Sequence, residues 1–273
     1  MLQLYETVMD DETRLRRAVT FDQVADLYAF ARREIPDEII RDLFDLAGIE
    51  LVGARVLEIG CGTGQATLPL ARRGCRVLCI EMGSNLARIA RRNLAGFPLV
   101  EIVNARFEDW EPDGAVFDIV FAATSWHWLD PAVRYAKAAA LLKPAGMLAF
   151  TMGGHAFPPG FDTFFTEIQP CYEAIGWEPL PSTPPTLEAT SNLGDEIERG
   201  YFDRVSIERY LWVEEFTADE YVAMMGTASD HILIELAKRE WLFGQMRRLI
   251  DVRHGGRIRK HNLAILHVAR KKL

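Results

Sequence analysis

The chain has no apolar run long enough to span a bilayer, so no membrane association is expected of it. Its first residues, MLQLYETVMDDETRLRR, are too acidic and polar for a signal peptide, and the expected location is the cytoplasm. Positive charge is also in deficit: Lys plus Arg number 31 against 39 Asp plus Glu, a formal net charge of −8. Such a chain attracts a phosphate backbone poorly, so nucleic acid is not an expected partner. The basic clusters (Arg14, Arg16, Arg17; Arg257, Arg259, Lys260) are short and read as solvated faces. Cysteines are only four, at positions 61, 75, 79 and 171. Cys75 and Cys79 lack a second pair or a nearby His, which argues against zinc, and no metal is expected. No His or Asn is placed by sequence to activate a catalytic thiol. Repeats and low-complexity tracts are absent. What remains is 49% hydrophobic over 273 residues, ample for a core.

The most informative stretch is Arg55 to Leu68, RVLEIGCGTGQATL. A short apolar run carrying Glu58 gives way to glycines at 60, 62 and 64. Glycine alone tolerates positive φ without strain and lets a ligand approach the main chain, so a strand that ends this way must turn sharply with its backbone bare. From Gln65 the pattern turns helical, and the loop feeds a helix N-terminus whose N–H groups are unpaired. A dinucleotide fingerprint needs a third glycine where this chain has Gln65. A second apolar run, Val77 to Ile80, ends in Glu81, an acid placed to accept both hydroxyls of a ribose.

Strands are expected near 55–59, 76–81, 100–104, 117–123 and 146–152, and helices near 65–73, 85–94 and 131–142. This alternation predicts an α/β chain with a mostly parallel sheet covered on both faces. Ligands of such sheets bind beyond the strands' carboxyl ends, where the glycine loop and Glu81 both fall. Before the sheet, Phe21 to Arg33 shows a helical stripe, and Glu38 to Gly48 reads as another helix. After Gly153 the rhythm breaks into a Gly/Pro-rich loop and an aromatic-rich helical segment, an insertion of the kind that serves as a lid. A strand near 208–216 follows. Thr217 and Glu220 then form a capping box, a helix runs from about 230 to 252, and the last strand covers 257–269. The domain reading is 1–50 N-terminal helices, 51–153 nucleotide-binding core, 154–206 lid and 207–273 completion of the sheet.

The pattern E-x-G-x-G-x-G followed by a strand ending in an acid resembles the class I S-adenosylmethionine-dependent methyltransferases. The run Trp126-His127-Trp128-Leu129-Asp130-Pro131, with FDQVADLY near the N-terminus and ALLKPAGMLAF at 140–150, resembles the type 11, trans-aconitate methyltransferase-like subfamily. The resemblance covers most of 20–153. It implies a Rossmann-like seven-stranded sheet whose last strand inserts antiparallel, with N-terminal helices and a helical insertion forming a lid. It also implies S-adenosylmethionine as cofactor and S-adenosylhomocysteine as product. The methionine end would meet Glu58 and the loop Gly60, Cys61, Gly62, Thr63, Gly64 and Gln65. The ribose would meet Glu81, and the adenine Met82 with Arg106, Phe107 and Glu108. Asn104 stands where the family often has Asp. Thr124 and Ser125 complete the cofactor side.

Catalytic candidates are His127 and, on a glycine-flanked loop, His155. His127 is read either as a general base or as a hydrogen-bonding partner of the backbone or the methionine moiety. Phe21, Tyr28, Arg32 and Trp126 are read as lining the substrate entrance, an arginine there suiting a carboxylate. The expected activity is methyl transfer to a small-molecule acceptor, oxygen first. The alternative is a protein of this fold that binds the cofactor without transferring methyl groups.

Overall fold

The computed structural model describes residues 10–112, 114, 116–178, 197 and 200–272. Helices α1 (Asp11–Ala18), α2 (Thr20–Gln23), α3 (Ala25–Ala31) and α4 (Asp37–Ala47) precede a seven-stranded sheet. Its strands are β1 (Arg55–Ile59), β2 (Arg76–Glu81), β3 (Val100–Asn104), β4 (Phe117–Ala123), β5 (Leu142–Ala156), β6 (Phe202–Thr217) and β7 (Arg257–Lys271). Between them come α5 (Thr67–Arg72), α6 (Ser84–Asn93), α7 (Arg134–Leu141), α8 (Phe164–Glu167), α9 (Gln169–Ala174), α10 (Ala218–Met225), α11 (Ser229–Ile232) and α12 (Leu236–Arg253). The strand order is β3-β2-β1-β4-β5-β7-β6, so the last strand inserts between the two before it. The pairs β1–β2, β2–β3, β1–β4 and β4–β5 are parallel. This is the expected α/β, mostly parallel, Rossmann-like sheet.

Contacts divide the described chain into two compact units. One holds residues 10–152, 197, 200–209 and 264–272; the other holds 153–178 and 210–263. In the first, the sheet's apolar side chains (Leu57, Ile59, Val120, Leu148 and Phe150 among them) are buried, consistent with strands covered on both faces. Trp126 belongs to this core. It is fully buried, its ring stacked on Phe150 at 5.1 Å, with the Arg134 guanidinium 5.7 Å from its centre. An indole so placed has no surface for a substrate, and the structure corrects the sequence reading here. Trp126→Ala is expected to cost about 3–5 kcal/mol by leaving a large cavity; urea unfolding measures it, and a loss under about 1 kcal/mol would contradict this packing.

The second unit contains α8, α9, α10, α11 and α12 with parts of the long strands. The expected capping box is present: Thr217 Oγ1 accepts from the Glu220 N–H, and Glu220 Oε2 accepts from the Thr217 N–H at 2.8 Å. His231 is buried between Asp230 Oδ1 at 2.7 Å and the Tyr172 hydroxyl at 3.0 Å, tying α9 to α11. His155 lies among aromatic rings, 4.0 Å from Phe157 and 4.1 Å from Phe165 between ring centres. Burial, with Lys260 and His261 nearby, pushes its pKa well below the usual imidazole range. Much of the expected lid, residues 179–196 and 198–199, lies outside the described residues.

Several boundaries differ from expectation. The helix read over 21–33 is two helices broken at Val24, and that read over 230–252 is broken after Ile232. Strands β5 and β6 are much longer than read. The first starts at Leu142, including Pro144 and Gly146, and the second starts at Phe202.

Candidate cofactor site

The site is built from the carboxyl ends of three neighbouring strands. The register pairs Glu58 with Cys79 and Glu81 with Asn104, placing two acids near the tips of adjacent parallel strands. Gly60 extends the ladder by donating to Ile80 O at 2.7 Å, and the chain then turns through φ values of +70°, +58° and +101° at Gly60, Gly62 and Gly64. At Gly60 a side chain is excluded twice over. The positive φ strains any L-residue, and a Cβ would lie 2.7 Å from Ser125 Cβ. Ser125 is held there because its hydroxyl donates to Ile59 O. Thr124, itself at φ +53°, is pinned by its N–H to Thr151. Loop and β4 tip are thus fitted to each other.

Glu81 closes the loop. Its Oε2 accepts from Gly62 N and its Oε1 from Gly83 N, both at 2.8 Å, bridging the glycine turn to the start of α6. Burial nevertheless raises its pKa to about 7, outweighing those two N–H groups. Glu58 is fully buried beneath, and burial raises it to about 7 as well, with Thr67 and Cys79 opposing and the charge of Glu81 reinforcing. Its Oε1 accepts no hydrogen bond among the described residues. Thr63 and Gln65 brace the loop through a 2.6 Å hydrogen bond, and Asn93 donates to Thr63 O. Cys61 is buried beside Cys79 and the two acids, and its thiol is raised well above the usual range.

The raised carboxyls carry a pH signature. Between about 4.5 and 7 the folded protein keeps a proton on Glu58 that the unfolded chain releases, so this group's stabilising contribution is full below 4.5 and lost as pH rises to 7. His127 and His267, lowered to about 3 and about 4, run the other way, losing stability as pH falls below 6.5. Glu58→Gln isolates the first effect. Relative to the parent, its stability should rise with pH up to 7, by roughly 3 kcal/mol at most. A difference in unfolding free energy that is flat across pH would contradict the assignment.

Helices α2 and α3 cover the loop. Tyr28 Cε1 lies 3.4 Å from where a Cβ on Gly62 would stand. Tyr28 meets Phe21 edge-on at 6.0 Å, Phe21 meets Trp128 at 5.7 Å, and the Arg32 guanidinium lies 5.4 Å from the Tyr28 ring centre. Phe21, Tyr28 and Arg32 are therefore brought together beside the glycine turn. Asp22 fastens this cover: its Oδ1 accepts from Asn85 N at 2.7 Å and Leu86 N at 3.0 Å, capping α6. A half-open cleft of about 230 Å³ runs between Val19, Asp22 and Gln23 on one wall and Met82, Gly83 and Asn85 on the other.

Sequence reasoning did not single out Asp22. Its signal would have been an acid one residue after an aromatic in the N-terminal helix, which is too weak to read. The role of Asn104 was also missed. It donates to Glu81 O and Met82 O, holding the tips of β2 and β3 together.

The expected adenine residues disperse. Phe107 is buried in the core with the Lys137 ammonium 5.4 Å from its ring centre. Glu108 Oε1 accepts from Asp130 N, and the exposed Arg106 guanidinium is shared between Glu108 and Asp109 at 3.8 and 3.7 Å. His127 sits in a single 3-10 turn, Trp126–Trp128, which Arg14 anchors by donating to Trp128 O. Burial and the Arg134 charge lower its pKa to about 3, so the imidazole is neutral near pH 7 and a poor base.

A glycine turn leading from β1 to a helix, with acids at the tips of β1 and β2 in a 3-2-1-4-5-7-6 sheet, defines a nucleotide-binding α/β domain. Residues 56–146 match the family described as methyltransferase domain, and this part of the chain is similar to the class I S-adenosylmethionine-dependent methyltransferases. Over 154 residues the chain is 32% identical to malonyl-[acyl-carrier protein] O-methyltransferase of Geobacter sulfurreducens, covering 55% of this chain and 53% of that protein. It is 30% identical over 146 residues to trans-aconitate 2-methyltransferase of Shigella dysenteriae, covering 52% and 57%. The chain thus spans about half the length of these curated relatives. In fold it is similar to phosphoethanolamine N-methyltransferase 2 of Haemonchus contortus, solved with S-adenosyl-L-methionine. The TM-score is 0.54 at 16% identity, covering 98% of this chain and 61% of that one.

Proposed function

We propose that this chain transfers a methyl group from S-adenosylmethionine to a small-molecule acceptor, with a carboxylate or hydroxyl oxygen as the first candidate. The observation that carries the reading is the bridge from Glu81 to Gly62 and Gly83, which sets an acid, a bare backbone turn and a cleft side by side. The residues fit the cofactor chemically. Glu58 offers a buried oxygen without a partner, suited to an ammonium, and the turn at Gly60–Gly64 lets a carboxylate reach the main chain. Glu81 would hold the ribose hydroxyls, and Met82 would cover the adenine.

When bound, S-adenosylmethionine supplies an electrophilic methyl group whose leaving thioether needs no protonation. The protein's part is then to hold the acceptor in line and exclude water. Phe21, Tyr28 and Trp128 form an apolar wall for that purpose, and Arg32 stands where a carboxylate could pair with it. His127, neutral at working pH, acts here as a hydrogen-bonding group that orients the acceptor or the methionine end. A location in the cytoplasm agrees with four free cysteines, and a small-molecule partner rather than nucleic acid agrees with the net charge of −8.

Incubation with methyl-labelled S-adenosylmethionine and metabolite pools tests the proposal. Label is expected in a small acidic product. Binding of S-adenosylhomocysteine without any transfer would favour the non-methylating alternative. Thermal stabilisation by NADH rather than S-adenosylhomocysteine would contradict both readings.

A further inference from the structure

Asp22 and Glu81 both close on Gly83. The Gly83 N–H donates to Glu81 Oε1 at 2.8 Å, and a Cβ on Gly83 would lie 2.7 Å from Asp22 Oδ1. Gly83 precedes α6 and has no side chain with which to cap it. The cap comes from α2 instead, more than sixty residues earlier in the chain. Besides the two backbone donors on its Oδ1, Asp22 accepts on Oδ2 from Asn85 Nδ2 at 3.2 Å and from the Ser84 hydroxyl at 3.5 Å. A cap supplied by a distant element does more than a local one, because it ties the turn at Gly83 to the helices that cover the site. It also sets a second carboxylate next to the first.

We infer that Asp22 is a positioning residue for the cofactor, clamping Gly83 against Glu81 and holding a negative charge beside the carboxylate that receives the ribose. This role rests on the cofactor reading given above and acts through Glu81. The groups that face Glu81 are Glu58 from β1, Cys61 from the glycine loop, Cys79 from its own strand, Tyr28 from α3 and Asp22 from α2. The first turn of α6 carries no charged residue. Both thiols and the Tyr28 hydroxyl stand above their usual ranges and are neutral near pH 7. Burial is the chief reason that Glu81 is raised to about 7, and the Asp22 charge adds to it.

Calorimetry of S-adenosylhomocysteine binding between pH 6 and pH 9 tests this, with Asp22→Asn and Asp22→Ala in the full chain. The amide keeps an acceptor for Asn85 N and Leu86 N but drops the charge. Glu81 then ionises at lower pH, and the rise of affinity with pH should move down with it. At pH 6 Asp22→Asn should therefore bind more tightly than the parent, and at pH 9 the two should converge. Loss of a cap alone can only weaken binding. Asp22→Ala loses the clamp as well and should bind about tenfold more weakly at pH 9, because fewer molecules hold the turn ready. In the free protein, an NMR titration of the Glu81 carboxyl carbon, assigned with Glu81→Gln, should move to lower pH in Asp22→Asn. An unmoved Glu81 titration, or one pH profile shared by parent and Asp22→Asn, overturns the inference. So does full affinity of Asp22→Ala at pH 9. A parent that binds no S-adenosylhomocysteine overturns the cofactor reading and this role with it, even where the Glu81 titration moves.

Discussion

Gly62→Val is expected to abolish detectable binding of S-adenosylhomocysteine while leaving a folded protein. Gly62 sits at φ +58°, where a β-branched residue is strained by about 1–2 kcal/mol. That much strain lowers the melting temperature of a chain this size by only a few degrees, roughly 2–4 °C per kcal/mol. Binding suffers more. The new Cβ would stand 3.4 Å from Tyr28 Cε1 and 3.7 Å from Gln65 Oε1, and its two methyl groups would project into the space the loop keeps open. They would also press on the N–H that Glu81 holds. Titration calorimetry is the check. An unchanged affinity would mean that the ligand does not approach the backbone at this turn.

Glu81→Ala should weaken the same ligand by about 1.5–3 kcal/mol, roughly tenfold to more than a hundredfold, the range for losing hydrogen bonds to a charged group. The free protein should lose stability too, since Gly62 N and Gly83 N would both lose their acceptor. Glu81→Gln separates the two effects. An amide keeps one acceptor oxygen, so the loop is partly held while the charge is gone. Burial raises Glu81 to about 7, so ligand affinity should climb as pH rises through neutrality, when the carboxylate form predominates. Equal affinity for parent and Glu81→Ala would move the ribose elsewhere.

The parts of this molecule that were legible in advance share one property: their chemistry is local. The glycines at 60, 62 and 64 announce their turn because only glycine suits those φ values, and β1 and β2 are short apolar runs bounded by clear breaks. The capping box at Thr217 is local as well. What stayed hidden depends on contacts far along the chain. The break at Val24 has no proline or glycine to mark it; it lets Asp22 reach the α6 N-terminus more than sixty residues away. Trp126, His127 and Trp128 share one 3-10 turn with three residues per turn, so their side chains leave in three directions. Nothing in that spacing says which ring faces the core, and the stacking of Trp126 on Phe150 decides it. The family resemblance, not the local sequence, implies Phe107 and Glu108 as adenine partners. Instead the core takes up Phe107, and Glu108 holds Asp130 N. The long strands β5 and β6 were under-read because Pro144 and Gly146 look like a turn, and because charged residues interrupt the apolar alternation of β6.

The bridge from Glu81 to the glycine turn is the centre of this account, and a crystal structure of the S-adenosylhomocysteine complex tests it most directly. Both ribose hydroxyls are expected within hydrogen-bond distance of the Glu81 carboxylate, with the homocysteine end lying along Gly60–Gly64. A nucleoside bound away from Glu81, or a homocysteine carboxylate held by groups other than that turn, would contradict it.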